Sequence, residues 1–173
     1  MLIHRDAETT LRQAAREYPV VAVTGLRQSG KTTVVREVFA NKPYVSLEDL
    51  DELEAANTDP RGFLARFPGG AVFDEAQRCP RIFSYLQTRV DETRKKGQFI
   101  LTGSQQFGLT SQITQSLAGR VALVPLLPFT LNEVRSADVA LRDLVDLLFQ
   151  GLYPPIYDTR PDISNWYGNY IRT

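Results

Sequence analysis

The sequence predicts an α/β fold in which a mainly parallel sheet of five strands is covered by helices on both faces. Short apolar runs rich in β-branched residues alternate with helical patterns along residues 1–130. Each stretch between the runs is long enough for a helix that crosses from one parallel strand to the next. Together, the buried runs and the crossovers predict a three-layer αβα sandwich.

The individual elements follow from hydrophobic periodicity and from the residues that interrupt it. Helices are predicted over residues 6–17, 31–39, 49–56, 61–67 and 111–118, with a longer one opening at Pro80. Strands are predicted over residues 20–24, 44–46, 71–73, 98–102 and 121–124. Proline and glycine stand at most of the breaks, where they end helices or form turns.

The character of the sequence changes after Thr130. We predict that residues 1–130 form the α/β domain, and that residues 131–173 form a helical extension that begins a C-terminal domain. Helices are predicted over residues 131–135, 139–150 and 165–173, with a turn over residues 151–155. The last helix carries apolar side chains that this chain does not obviously cover. We therefore expect the chain to be the N-terminal part of a longer protein.

Composition excludes several classes of protein. The 173 residues include 20 basic and 20 acidic ones, so the net charge of zero gives no general attraction to nucleic acid or membrane. Cys79 is the only cysteine, which excludes an intrachain disulfide. No signal peptide is evident and no apolar run has the length of a membrane span. We expect a cytoplasmic protein.

A glycine-rich loop follows the first predicted strand and leads directly into a predicted helix. Gly25 and Gly30 frame it, and Lys31 and Thr32 complete the pattern G-x-x-x-x-G-K-T. Backbone N–H groups of such a loop wrap a phosphate at the helix N-terminus. Lys31 is expected to contact the β- and γ-phosphates and Thr32 to bind Mg²⁺. The predicted nucleotide-binding residues are Gly25, Leu26, Arg27, Gln28, Ser29, Gly30, Lys31, Thr32 and Thr33.

Two acidic residues end the third predicted strand and indicate what happens to the bound nucleotide. Asp74 is expected to hold Mg²⁺ through water, and Glu75 to act as the general base that activates the attacking water. Acidic residues also gather at helix N-termini because of the helix dipole. Two of them at a sheet edge after a P-loop favour hydrolysis.

Two further residues have two interpretations each. Ser104 follows the fourth predicted strand, where its hydroxyl either lies beside the γ-phosphate or serves the turn after Gly103. Arg120 either caps the preceding helix or reaches the γ-phosphate of a neighbouring subunit as an arginine finger. The basic run at residues 94–96 is interpreted as ordinary helix-end chemistry rather than as a nucleic-acid contact.

Five ordered blocks of the sequence resemble the AAA-type ATPases of bacteria and archaea that carry a C-terminal domain of unknown function, the AAA_14 and DUF4143 pair. The blocks are residues 25–33, 44–49, 73–78, 100–107 and 116–121. The resemblance implies an AAA+-like P-loop NTPase fold with Lys31 and Thr32 in the Walker A motif. It likewise implies that Asp74 and Glu75 form the Walker B motif.

The same resemblance bears on the remaining candidates and on the partners. It places Ser104 near the sensor 1 position and Arg120 at the position of the arginine finger, which implies a homo-oligomer whose subunits share active sites. Residues 127–133 and 151–154 resemble the junction to the C-terminal domain. No lid with a second sensor arginine is recognisable in residues 131–173.

We therefore expect a Mg²⁺-dependent ATPase whose turnover drives a conformational change in a partner or in its own C-terminal domain. The alternative is an ATP-binding switch with negligible hydrolysis, associated with a protein or a nucleic acid. A small-molecule kinase ranks last because no acceptor pocket is legible in the sequence.

Overall fold

The computed structural model describes residues 3–104, 116–137 and 143–172. Within them, five strands form one sheet, in which every hydrogen-bonded pair is parallel. The strands are β1 (Val20–Gly25), β2 (Tyr44–Ser46), β3 (Val72–Asp74), β4 (Phe99–Ser104) and β5 (Val121–Pro125). Their order across the sheet is β2-β3-β4-β1-β5. The predicted five-stranded parallel sheet is confirmed.

Helices connect the strands and continue beyond the sheet. Those up to β4 are α1 (Ala7–Glu17), α2 (Lys31–Val38), α3 (Leu50–Thr58), α4 (Pro60–Ala65) and α5 (Ile82–Thr93). Those after β5 are α6 (Leu131–Ser136), α7 (Leu144–Gln150), α8 (Pro154–Asp158) and α9 (Ile163–Arg172). A single 3₁₀ turn, Ala76–Arg78, follows β3. None of these described helices is long and apolar enough to cross a lipid bilayer.

The sheet is buried on both faces, as its continuous apolar strands predict. Val20 and Ala22 of β1 pack into one hydrophobic cluster with side chains of α3, α4 and α5. Val21 and Val23 point the other way and pack with α1 and α2. Alternation along a strand thus supplies both layers of the core, and the three-layer sandwich is confirmed.

Strand order brings the two predicted motifs to one edge of the sheet. β4 lies between β1 and β3, so the P-loop after β1 and the acidic pair after β3 flank the end of β4. Gly25 at the end of β1 pairs with Ser104 at the end of β4. Ligands of open parallel sheets bind outside the carboxyl ends of the strands, where connections diverge to opposite faces. The fold therefore predicts the site at this edge.

Several element bounds differ from those predicted. α5 ends at Thr93 because Arg94 adopts a left-handed conformation with φ 52°, so residues 94–96 follow the helix instead of forming its last turn. Pro154 begins α8 where a turn was predicted, since proline suits the first position of a helix. The first residues of the helix predicted over 139–150, and most of the helix predicted over 111–118, lie outside the described residues.

The helices after β5 pack against the N-terminal segment in a third hydrophobic cluster. Its buried members are Ile3, Phe129, Val134, Ile156 and Tyr157. The T-shaped contact of the Phe129 and Tyr157 rings, with centroids 5.7 Å apart, joins the segment after β5 to α8. The helices after β5 are thus attached to the segment that precedes α1.

Arg5 lies at the centre of this attachment and is only 6% exposed. Its Nε lies 3.1 Å from Oε1 of Glu133, which is itself 4% exposed. One terminal nitrogen donates to the Ser29 carbonyl at 2.9 Å, and the other to the Leu127 carbonyl at 2.7 Å. The guanidinium also lies 4.9 Å from the centre of the Phe129 ring. One buried cation therefore connects the N-terminal segment, the P-loop and α6.

We predict that Arg5→Ala lowers the free energy of unfolding by about 3–5 kcal/mol, because it leaves the Glu133 carboxylate buried without its cation. Urea unfolding of the whole chain measures the loss. Arg5→Met combined with Glu133→Gln removes both charges and is expected to cost less than Arg5→Ala alone. Arg135→Ala, on the exposed face of α6, is the matched control and should stay within about 0.5 kcal/mol of the wild type. A loss below about 1 kcal/mol for Arg5→Ala would contradict the buried-pair argument.

Candidate active site

The P-loop takes its shape from residues that tolerate unusual backbone conformations and close contacts. Gln28 and Gly30 have φ angles of 58° and 89°, both in the left-handed region that glycine adopts without strain. A Cβ on Gly25 would lie 2.2 Å from the Leu126 carbonyl oxygen, so only glycine lets the end of β1 approach that segment. Gly30 stands directly before Lys31, where α2 begins. The loop thus delivers a helix N-terminus to the sheet edge, as a phosphate site requires.

Lys31 is buried within this loop and reaches back across it. Its Nζ donates to the carbonyls of Leu26 at 2.8 Å and Gly25 at 3.2 Å. Burial lowers the pKa of Lys31, while the carboxylates of Glu75 and Asp74 act in the opposite direction. The amine is therefore held inside the loop by neutral carbonyls, which leaves its charge available for an anionic ligand.

The Asp74 carboxylate accepts hydrogen bonds from hydroxyl groups of three different elements. Asp74 is only 4% exposed. Thr32 of α2 donates to its Oδ2 at 2.9 Å, and Tyr44 of β2 donates to the same oxygen at 2.6 Å. The Thr102 hydroxyl of β4 donates to Oδ1. A buried carboxylate needs such donors because it has lost its water. The cluster fixes the position of Asp74 relative to Thr32 at the start of α2.

This arrangement fits a Mg²⁺ ion bound together with phosphates. The Thr32 hydroxyl donates its proton to Asp74 and keeps its oxygen lone pairs for a metal. Hydroxyl and carboxylate oxygens are hard ligands, and Mg²⁺ in phosphate sites takes only one or two of them from the protein.

Glu75 has an unusual backbone conformation for a residue with a side chain. Its φ and ψ are 53° and 46°, in the left-handed region. Its N–H donates to the Thr102 hydroxyl at 3.1 Å, and its carboxylate accepts from the side-chain amide of Gln77. Such conformations persist where surrounding contacts impose them, and they concentrate at functional sites. Here Glu75 lines a cleft that Lys31 also lines.

That cleft has a volume of about 700 Å³ and runs along the P-loop. Arg27, Lys31, Thr32, Glu48 and Glu75 line its charged side. Residues of α8 and α9 close the opposite side, where the Tyr170 hydroxyl donates to the Arg27 carbonyl at 3.3 Å.

A second cleft of about 330 Å³ shares Gly30 and Thr33 with the first. Ile3, Phe129 and Tyr157 supply its apolar walls, and Arg5, Glu37 and Asp158 also line it. A cleft with charged walls beside one with aromatic walls suits the two ends of a nucleotide, since phosphates need donors and bases need flat apolar walls.

Ser104 lies beside Gly25, the first residue of the P-loop. It is the last residue of β4, pairs with Gly25 of β1, and is buried. Its hydroxyl has no hydrogen-bond partner among the described residues. A buried hydroxyl without a partner is unusual and calls for an explanation such as a bound ligand or water.

Arg120 lies at the amino ends of the strands, whereas the P-loop lies at their carboxyl ends. It directly precedes β5, and its carbonyl accepts the N–H of Val20 at the start of β1. Its Nε and one terminal nitrogen donate to the Asp91 carboxylate at 2.6 and 2.8 Å, and the other nitrogen donates to the Ala118 carbonyl at 2.9 Å. The fold therefore gathers Lys31, Thr32, Asp74 and Glu75, with Ser104 beside them, and leaves Arg120 about 17 Å away along β1.

The sequence interpretation did not place Tyr44, Glu48 or Tyr157 at the site. Tyr44 and Glu48 belong to the block 44–49 that carries the family resemblance, but nothing in the sequence indicates their targets. Tyr44 reaches Asp74 only because β2 and β3 are neighbours, with Ser46 paired to Asp74. Tyr157 lies in the segment whose packing against the P-loop was not predicted.

Comparison with known proteins identifies the family. The family AAA_14, described as an AAA domain, matches residues 17–135. Two uncharacterised mycobacterial proteins, Rv2008c of Mycobacterium tuberculosis and Mb2031c of Mycobacterium bovis, are each 37% identical over the whole of this chain. The chain spans 39% of the length of each relative.

Solved structures agree on the fold. The Walker-type ATPase PABY2304 of Pyrococcus abyssi superposes with a TM-score of 0.61 and 16% identity, covering 99% of this chain and 72% of that one. AMPPCP-bound DnaA of Aquifex aeolicus superposes with a TM-score of 0.59 and 14% identity, covering 89% and 57%. At these identities the likeness concerns the fold alone. The fold, with its glycine-rich loop and acidic pair at one end of the sheet, is that of a P-loop ATPase. The match over residues 17–135 shows that the chain belongs to the AAA_14 family.

Proposed function

We propose that this chain is the ATPase module of a longer protein, and that it binds ATP with Mg²⁺ and hydrolyses it. The observation that carries the proposal is the contact of Thr32 with Asp74 at 2.9 Å, with Glu75 and Lys31 lining the same cleft. A helix N-terminus alone suits many anions. The added acidic pair is what a hydrolase needs beyond phosphate binding.

Each residue has a role that its surroundings support. Bound Mg²⁺ would neutralise charge on the β- and γ-phosphates, with Thr32 and Asp74 as the residues that hold it. Lys31 places its ammonium on the same phosphates. Glu75 accepts the proton of the attacking water as general base. Ser104 donates its unpaired hydroxyl to the γ-phosphate or to that water, the role that its orphaned Oγ supports.

We further propose a domain boundary near Thr130, with helices α6 to α9 serving as a lid over the nucleotide. The contact of Tyr170 with Arg27 and the lining of the cleft by Pro154, Pro155 and Asp158 support this role. The cleft lined by Phe129 and Tyr157 would receive the base. A lid that excludes water strengthens electrostatic contacts within the site. The conformational change driven by turnover would pass through this lid to the remainder of the protein or to a partner.

Lys31→Met is expected to weaken ATP binding about 10- to 100-fold, because it removes a charge-assisted contact to phosphate and leaves the fold intact. Titration with a fluorescent ATP analogue measures the affinity. Lys42→Met is the matched control, since Lys42 is also partly buried, has a pKa lowered by burial, and donates to the Gln98 carbonyl at 3.2 Å away from the P-loop. Equal affinity in both variants would contradict the assignment of Lys31.

Glu75→Gln is expected to reduce ATP turnover by about 10²- to 10⁴-fold while ATP binding stays within a few-fold of the wild type, because an amide cannot accept the water proton. Steady-state phosphate release and nucleotide titration on the same samples separate the two effects. Glu48→Gln is the matched control, since this carboxylate lines the same cleft. A wild type that binds ATP but shows no turnover would instead support the non-hydrolysing switch.

Arg120 can serve this reaction only from a neighbouring subunit. It lies at the amino edge of the sheet, whereas its own P-loop lies at the carboxyl edge. The separation along β1 exceeds the reach of a side chain. We therefore propose a homo-oligomer in which Arg120 approaches the γ-phosphate bound by the next subunit. Its exposed position and its place before β5 support this arrangement.

If the finger acts in trans, the specific ATPase activity should rise with protein concentration and collapse in Arg120→Ala at every concentration, because each complete site needs two subunits. Steady-state hydrolysis over a concentration series measures both effects. Arg94→Ala, at the end of α5, controls for the loss of a nearby positive charge and should retain the concentration dependence. Concentration-independent activity in the wild type, or an Arg120→Ala variant as active as the control, would refute the shared site.

A further inference from the structure

We propose that Tyr44 is a positioning residue of this site, whose hydroxyl holds Asp74 in the orientation that Mg²⁺ binding requires. The inference rests on the proposed function, since it concerns the carboxylate that would hold Mg²⁺ beside the bound nucleotide. Tyr44 lies on β2, at one edge of the sheet, and no sequence motif marks it as part of the site.

The geometry of the carboxylate carries the argument. Oδ2 of Asp74 receives two hydroxyls, from Tyr44 at 2.6 Å and from Thr32 at 2.9 Å, and Oδ1 receives the hydroxyl of Thr102. An ionised carboxylate has roughly four acceptor positions, so these three donors occupy most of them. Of the two hydrogen bonds to Oδ2, the one from Tyr44 is shorter than the one from Thr32.

These donors matter because the side-chain torsion of aspartate does not by itself fix the orientation of the carboxylate. The terminal torsion of aspartate has a broad, two-fold energy profile, so hydrogen bonds decide which oxygen faces which neighbour. Thr32 would also contact the metal through its oxygen lone pairs. Tyr44 and Thr102 would be the two hydroxyl donors that do not contact the metal, and they would keep the carboxylate from turning, one on each oxygen.

Tyr44 is itself held in place by the helix that bears Thr32. The Arg36 guanidinium lies 4.7 Å from the centre of the Tyr44 ring. Arg36 is four residues after Thr32, so both side chains lie on the same side of α2. Tyr44 of β2 and Thr32 of α2 therefore meet at one oxygen atom, Oδ2 of Asp74 on β3.

Tyr44→Phe tests the inference because it removes the hydroxyl and keeps the ring that stacks with Arg36. The affinity for a fluorescent ATP analogue is measured for each protein with Mg²⁺ and with EDTA, and the ratio of the two gives the Mg²⁺-dependent gain. Loss of an outer-shell partner of a metal-bound group typically costs 10- to 100-fold in metal affinity, so we expect the gain to fall about 10-fold. Affinity in EDTA should change less than about two-fold, because the P-loop contacts do not involve Tyr44.

Tyr85→Phe is the matched control, since Tyr85 is a half-buried tyrosine of α5 that lines a different cleft. A merely structural role for Tyr44 would lower the urea midpoint and leave the Mg²⁺-dependent gain unchanged, and that result would overturn the inference. A larger gain in Tyr44→Phe would also overturn it, because the hydroxyl would then compete with the metal. If the wild type binds no ATP under either condition, the proposed function fails and the inference fails with it. If the wild type shows a gain that Tyr44→Phe retains, the inference alone fails.

Discussion

The hydrogen bonds that stabilise one buried carboxylate, Asp74, determine how the elements are arranged at the carboxyl ends of the strands. Asp74 has lost nearly all contact with water, and an ionised carboxylate without partners would be strongly unfavourable there. Its partners are hydroxyls from three elements that are far apart in the sequence: Thr32 on α2, Tyr44 on β2 and Thr102 on β4. The same contacts that stabilise the charge therefore fix where α2 begins relative to the sheet. The position of the P-loop follows from the same requirement.

A buried positive charge has the corresponding effect on the other side of the P-loop. Arg5 is satisfied by Glu133 and by the Ser29 and Leu127 carbonyls, which belong to different parts of the chain. Guanidinium suits this task because its donors form a rigid planar fork that addresses several acceptors at once. The P-loop is thus held between two desolvated charges, Asp74 under the start of α2 and Arg5 behind Ser29. A shift of the P-loop would break hydrogen bonds of Asp74 or of Arg5 and leave a buried charge without its partners.

Local sequence signals predict most of the fold and the phosphate-binding loop. The apolar runs, the glycine spacing and the acidic pair after β3 carry their information within a few residues, and the structure places them as predicted. Arg94 shows the limit of such signals, because α5 ends where this one residue adopts a left-handed conformation that the neighbouring residues do not determine.

Contacts between distant residues are the part that the sequence does not reveal. The contact of Tyr44 with Asp74 depends on strand order and on a diagonal across the β2–β3 pair. Arg5 has no motif, and its role appears only when residues from both ends of the chain are adjacent. A tyrosine on an edge strand and an arginine near the N-terminus are ordinary surface residues by composition alone. The roles of both arise from tertiary packing.

Burial also separates the two arginines that matter most in this chain. Arg5 is desolvated, so its contacts are structural, and exchanging them would expose the Glu133 carboxylate in the interior. Arg120 pairs with Asp91 at the surface, where ion pairs are weak because water and salt compete with them. An exposed pair of this kind holds a guanidinium in place and can still give it up to a stronger anion. A phosphate that carries more charge than one carboxylate is such an anion. Asp91 is thus suited to orient the proposed finger in the free subunit without preventing its transfer to a neighbour's nucleotide.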